Sequence, residues 1–125
     1  MIVDLRNSGR GCILYNTYVG CIMYADDLIL ISGSLLSLQK MLDVCANSSV
    51  LLGIKFNSAK SHCLCIGSNA IKSLPDILLD GQVIKWCNSF KYLGVHIMSG
   101  TQFMIDVAES RKKFFVSINC IFSKN

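Results

Sequence analysis

Residues 20–31 read Gly20-Cys21-Ile22-Met23-Tyr24-Ala25-Asp26-Asp27-Leu28-Ile29-Leu30-Ile31, and this stretch decides the fold. Two apolar runs flank a pair of adjacent carboxylates. Short apolar runs bounded by turn residues predict strands, and the acidic gap between them predicts a hairpin. Because both arms are apolar at nearly every position, the reading predicts strands covered on both faces. Charge near a buried sheet is costly unless a cation compensates it. Oxygen-only ligands suit a hard divalent ion such as magnesium. An Asp-Asp pair also has an ordinary use, since aspartate tolerates turn geometry and keeps a hairpin tip wet. The apolar arms and the aromatic wall of Tyr24 favour the metal.

Working outward, Cys12 to Tyr15 and Val19 to Met23 read as strands with a turn at Asn16-Thr17. Leu28 to Ile31 forms the second hairpin arm. Ser34 is a good N-cap, Leu35, Leu38, Met41, Leu42 and Cys45 recur at helical spacing, and Gly53 is a helix terminator. A strand is expected from Ser61 to Ile66, then a loop opening at Gly67-Ser68-Asn69. Ile77 to Ile84 reads as a hairpin turning at Asp80-Gly81, with Trp86 packed near it. Lys91 to Ile97 reads as one more strand. Thr101 is expected to cap a last helix, with Asp106 and Glu109 early and Arg111-Lys112-Lys113 late, as the helix dipole prefers. The fold class is α+β: an antiparallel sheet with an acidic-tipped hairpin and one long covering helix.

Composition narrows the class. A chain of 125 residues is expected to form one domain. No apolar run approaches the ~18 residues needed to cross a bilayer, and Asp4, Arg6 and Arg10 interrupt any signal-peptide core. Seven cysteines, an odd number at irregular spacing, argue against a secreted disulfide framework and for an intracellular protein. On a strand, His62 points away from Cys63 and Cys65, so His62-Cys63-Leu64-Cys65 is read as structural rather than as a zinc site. His96 is read as a strand residue. The net charge of +4 is concentrated late. From Lys85 onward, Lys85, Lys91, Arg111, Lys112, Lys113 and Lys124 face only Asp106 and Glu109. This face suits a phosphate backbone, and equally an ordinary solvated helix.

Tyr24-Ala25-Asp26-Asp27 resembles the signature of reverse transcriptases, in a context similar to the non-LTR (LINE-type) retrotransposon enzymes. Ser8-Gly9-Arg10-Gly11-Cys12 and Val19-Gly20-Cys21-Ile22-Met23 resemble the two short strands leading into the family's catalytic hairpin. Gly53-Ile54-Lys55-Phe56-Asn57 with Lys60-Ser61 resembles the next motif. Phe90-Lys91-Tyr92-Leu93-Gly94-Val95 resembles the primer grip. Four patterns in the family's order span roughly residues 5–97, which is far more specific than any one of them.

The resemblance implies a polymerase palm over residues 1–98 and, over 99–125, a helix leading toward a thumb. It implies template-directed DNA synthesis on an RNA template from a DNA primer, with deoxynucleoside triphosphates as substrates and two magnesium ions. Asp26 would ligate metal directly and Asp27 would support it. Tyr24 and Ala25 would line the primer terminus, Lys60 would neutralise charge or donate a proton, and Phe90, Lys91, Tyr92, Leu93 and Gly94 would position the primer. Nuclear access follows from the family. The family's first catalytic aspartate and its nucleotide-contacting glycine-rich segment precede this hairpin. Asp4, in Ile2-Val3-Asp4-Leu5-Arg6, does not match that motif and is read as a surface residue. The expectation is therefore a palm fragment that is inactive alone. The alternatives are a non-catalytic nucleic-acid-binding or interaction module and a transposon relic without function.

Overall fold

A computed structural model describes residues 1–68 and 73–123. Asn69 of the expected loop, and residues 124 and 125 of the expected last segment, lie outside them. Among the described residues the element order begins with α1 (Ile2–Asn7), β1 (Ile13–Leu14), β2 (Thr17–Tyr18), β3 (Cys21–Tyr24) and β4 (Asp27–Leu30). It continues with α2 (Leu35–Leu52), a 3-10 turn (Ser58–Lys60), β5 (His62–Cys63), β6 (Ile77–Leu79) and β7 (Gln82–Trp86). It ends with β8 (Ser89–Tyr92), β9 (Val95–Met98), β10 (Met104–Asp106) and α3 (Ala108–Phe122). The α+β class holds, built from several small sheets rather than one. The chain divides into two compact units, Met1–Ser61 with Asp76–Ile84 and His62–Pro75 with Lys85–Asn125.

The first unit is organised by α2. Its bounds are those the sequence predicts: the Ser34 hydroxyl accepts from the Ser37 N–H at 3.2 Å, and Gly53 closes the helix with φ 65 in the left-handed region. There a side chain would meet the following carbonyl, so Gly53→Ala is expected to cost about 1 kcal/mol. Urea unfolding of the variant beside the parent chain measures it. One face of α2 carries Met41, Leu42, Cys45 and Ser48, all buried. Met41 and Cys45 form a core with Leu5 of α1, against which Cys21, Leu28, Leu30, Val44 and Phe56 pack.

The hairpin β3–β4 pairs Cys21 with Leu30, Ile22 with Ile29, Met23 with Leu28 and Tyr24 with Asp27. Directly paired residues share a face. Cys21, Leu28 and Leu30 therefore meet α2, while Ile22 and Tyr24 lie on the other side, 45% and 61% exposed. The expectation of arms covered on both faces is corrected: α2 covers one face, and no described element of this unit covers the other. The base of the hairpin is extended by the Ile31 N–H on the Gly20 carbonyl at 2.8 Å and the Cys12 N–H on the Ile31 carbonyl at 3.1 Å. This needs glycine at 20, where a Cβ would stand 2.9 Å from the Gly11 Cα and 2.8 Å from the Tyr18 ring.

The β1–β2 turn falls at Tyr15-Asn16, with φ 46 and 63, one residue before the expected place. The Asp80-Gly81 hairpin is found as read, both residues left-handed as a type I′ turn requires. Gln39 reaches from α2 to β6, donating to the Leu78 carbonyl at 2.9 Å and accepting from the Leu78 N–H at 2.8 Å. Its amide thus stands in for a neighbouring strand on that edge.

The second unit departs further from the sequence reading. The strand expected over Ser61 to Ile66 shrinks to His62–Cys63, paired in parallel with Lys85 and Trp86, and Ile66 makes a lone bridge to Gly100. Cys63 is buried and His62 exposed, in the alternation expected. Trp86 donates its indole N–H to the Pro75 carbonyl at 2.9 Å. The strand expected over Lys91 to Ile97 is instead the hairpin β8–β9, because Leu93 and Gly94 turn with φ 48 and 81. Among the described residues Thr101 caps no helix: Met104–Asp106 pairs with β9 as a third strand, and α3 starts only at Ala108. Its first turn is served by Asp106, whose Oδ1 accepts from the Ala108 N–H at 2.8 Å. Backbone pairing with β9 satisfies groups that the expected helix would have used internally.

Candidate active-site hairpin

Ala25 and Asp26 form the two-residue tip between β3 and β4, and Asp27 begins β4 opposite Tyr24. Ala25 has φ 52, a conformation that costs a non-glycine residue about 1–2 kcal/mol. Backbone strain of this kind concentrates where a side chain must be aimed. Here it turns the chain within two residues, so that both carboxylates project from one tip. Asp27 shares the open face with Tyr24, and both are exposed. The core packing of Cys21, Leu28 and Leu30 on α2 holds the tip from behind. The hairpin is therefore rigid at its base and open at its end.

Two adjacent, solvent-facing carboxylates offer only hard oxygen donors. This fits a magnesium ion, which binds through one or two carboxylates and completes its shell with water and substrate oxygens. Among the described residues no group of three or more His, Cys, Asp and Glu gathers around a common point.

Lys60 ends the 3-10 turn, whose start is capped by Asn57: its Oδ1 accepts from the Lys60 N–H at 3.1 Å. The Ser58 hydroxyl donates to Gln82 Oε1, tying this turn to β7. The Lys60 side chain is exposed, with no acidic partner among the described residues.

Phe90, Lys91, Tyr92, Leu93 and Gly94 lie on β8 and its turn in the second unit. Phe90 and Tyr92 are half-buried, while Lys91, Leu93 and Gly94 are exposed. The Tyr92 hydroxyl is buried and meets no partner among the described residues. Lys91 is not a free cation: its Nζ stands 3.0 Å from Glu109 Oε2. Lys113 reaches the other carboxylate oxygen at 2.8 Å, and His96 Nε2 stands at 3.8 Å. The hydrogen bonds from Lys113 and then Lys91 hold the Glu109 carboxyl well below its usual 4.5, at about 2. A carboxyl depressed in the folded state stabilises it above the unfolded value and loses that effect as pH falls. The tie is therefore intact at neutral pH and expected to loosen between about 4.5 and 2. Following the Lys91 and Lys113 side-chain resonances through an acid titration checks this.

Of the late basic run, Arg111 lies 5.9 Å above the Phe115 ring and Lys113 pairs with Glu109, so the run is partly engaged within the chain. Sequence reasoning missed Glu109 and Ser110 as partners of the β8–β9 hairpin. They lie 18 and 16 residues from Lys91 and Gly94, and no periodicity links such positions.

A family model described as reverse transcriptase (RNA-dependent DNA polymerase) matches residues 6–97. The chain belongs to the reverse transcriptase family. No curated protein and no solved structure matches it.

Proposed function

We propose that this chain supplies the C-terminal part of a reverse transcriptase palm, of the non-LTR retrotransposon type, over residues 1–98, with residues 99–125 leading toward a thumb. The observation that carries this reading is the strained, solvent-facing Ala25-Asp26-Asp27 tip within the matched region. In this reading Asp26 is the direct metal ligand and Asp27 the supporting one. When bound, magnesium supplies activation of the primer hydroxyl and stabilisation of charge on the triphosphate. Tyr24 walls the primer terminus, and Lys60 meets the negative charge of departing pyrophosphate. The β8–β9 hairpin bears on the primer strand through its exposed turn, Leu93 and Gly94, with Lys91 held on Glu109 beside it. The RNA template, DNA primer and deoxynucleotides are the partners, encountered where the host genome is. In this reading Asp26 and Asp27 are the carboxylates that these residues contribute to the two-ion site. The chain alone is inactive in polymerisation.

Binding of a recessed DNA primer on an RNA template, with and without magnesium and a matching deoxynucleotide, tests the reading. A catalytic palm segment binds more tightly with magnesium, and Asp26→Asn removes that increment. Salt-sensitive binding indifferent to magnesium and to Asp26 would mark a non-catalytic nucleic-acid module instead.

A further inference from the structure

The β8–β9 turn is built in an expensive way. A type I′ turn prefers asparagine or glycine at its first position, yet Leu93 occupies it with φ 48 and a side chain 57% exposed. A bulky apolar residue held left-handed and facing solvent needs support from elsewhere in the fold. That support comes from the first turn of α3. The Ser110 hydroxyl donates to the Gly94 carbonyl at 3.0 Å, directly behind the turn. One residue earlier, Glu109 receives Lys91 from β8 at 3.0 Å, and Lys113, one helical turn on, fixes the same carboxylate at 2.8 Å. His96, paired with Lys91 across the hairpin and with Asp106 on its other side, stands with its Nε2 3.8 Å from the same Glu109 oxygen that Lys91 reaches. Each of these exposed contacts is weak alone. Together they tie both the strand and the turn of the hairpin to the start of one helix.

We propose that Glu109 and Ser110 are positioning residues: the first turn of α3 locks the Leu93-Gly94 turn in the orientation that meets the primer strand. This rests on reading the β8–β9 hairpin as the primer-contacting element. The clamp also assigns Lys91 a structural task, since its charge is directed to Glu109 and the primer is met by the backbone and the Leu93 side chain.

The test uses the full chain and the variants Glu109→Gln, Ser110→Ala, Ser110→Thr and the double variant E109Q/S110A. Two quantities are measured: amide hydrogen exchange at residues 93–96, and the ratio of affinities for a recessed primer–template over a blunt duplex of equal length. The ratio discounts general loss of structure, which weakens both complexes alike. In the double variant, exchange is expected to quicken and the ratio to fall about fivefold. Ser110→Thr, which keeps the hydroxyl, is expected to behave as the parent chain. Should the double variant unfold, the single variants carry the same comparison at smaller amplitude. Unchanged exchange would overturn the clamp. Faster exchange with an unchanged ratio would reduce it to a structural tie and overturn the positioning role. A parent chain without preference for the recessed end would overturn the primer reading and this proposal together. That case is told apart from a failed clamp because exchange still responds to the variants.

Discussion

Asp26→Asn is expected to remove magnesium-dependent nucleotide engagement, and in a polymerase carrying this segment to lower nucleotide incorporation by a factor on the order of 10³. The substitution keeps the size and turn preference of aspartate, so the tip survives while the charge and the oxygen pair are lost. Asp27→Asn is expected to cost less, on the order of tenfold to a hundredfold, as outer partners of a metal site do. The difference follows from position. Asp26 lies within the two-residue tip, whereas Asp27 is already paired into β4 opposite Tyr24, which fixes its direction along the open face. Primer extension by a polymerase carrying each variant of this segment, at saturating magnesium, measures the ordering. Equal effects would mean that the two carboxylates act as a single bidentate unit.

Met41→Ala is expected to destabilise the first unit by about 2–4 kcal/mol, the range for deleting a fully buried long apolar side chain. Met41 has no exposed surface and is among the largest fully buried side chains. It packs with Leu5 and Cys45 beneath β3 and β4, and its terminal methyl reaches within 3.1 Å of where a Cβ on Gly11 would stand. Alanine there opens a cavity at the junction of α1, α2 and the hairpin, with few neighbours able to close it. Leu51, on the same helix but 88% exposed, is the control: Leu51→Ala should change stability by no more than about 0.5 kcal/mol. Chemical unfolding of both variants gives the comparison. A loss at Met41 as small as that at Leu51 would show that the hairpin is not held from α2.

The elements that were legible in the sequence are those whose ends are chemically marked. Ser34 and Gly53 bracket α2 with a side-chain cap and a left-handed residue, and Asp80-Gly81 announces its turn. The acidic hairpin was legible because apolar runs on either side leave only Ala25-Asp26 to turn. The misreadings occur where partners distant in sequence decide. Whether the outer face of β3–β4 is covered depends on what packs there, and twelve mostly apolar residues cannot say. Leu93 was unreadable as a turn residue because its own preference opposes the conformation, and the support for it comes from Ser110. Met104–Asp106 became a strand only because β9 offered an edge, which displaced the helix start from Thr101 to Ala108. The place of Asp26 and Asp27 at the hairpin tip was legible, but the charge relations of Lys91 were not. They required the meeting of β8 with α3.

The most direct test of the central claim, that the Asp26-Asp27 tip is a divalent-metal site, is a manganese titration of the isotopically labelled chain. Paramagnetic broadening of amide signals maps the ion. The account predicts broadening centred on Ala25 to Leu28 at substoichiometric manganese, abolished in Asp26→Asn and competed by magnesium. Broadening that spares this tip, or is unchanged in Asp26→Asn, would contradict it.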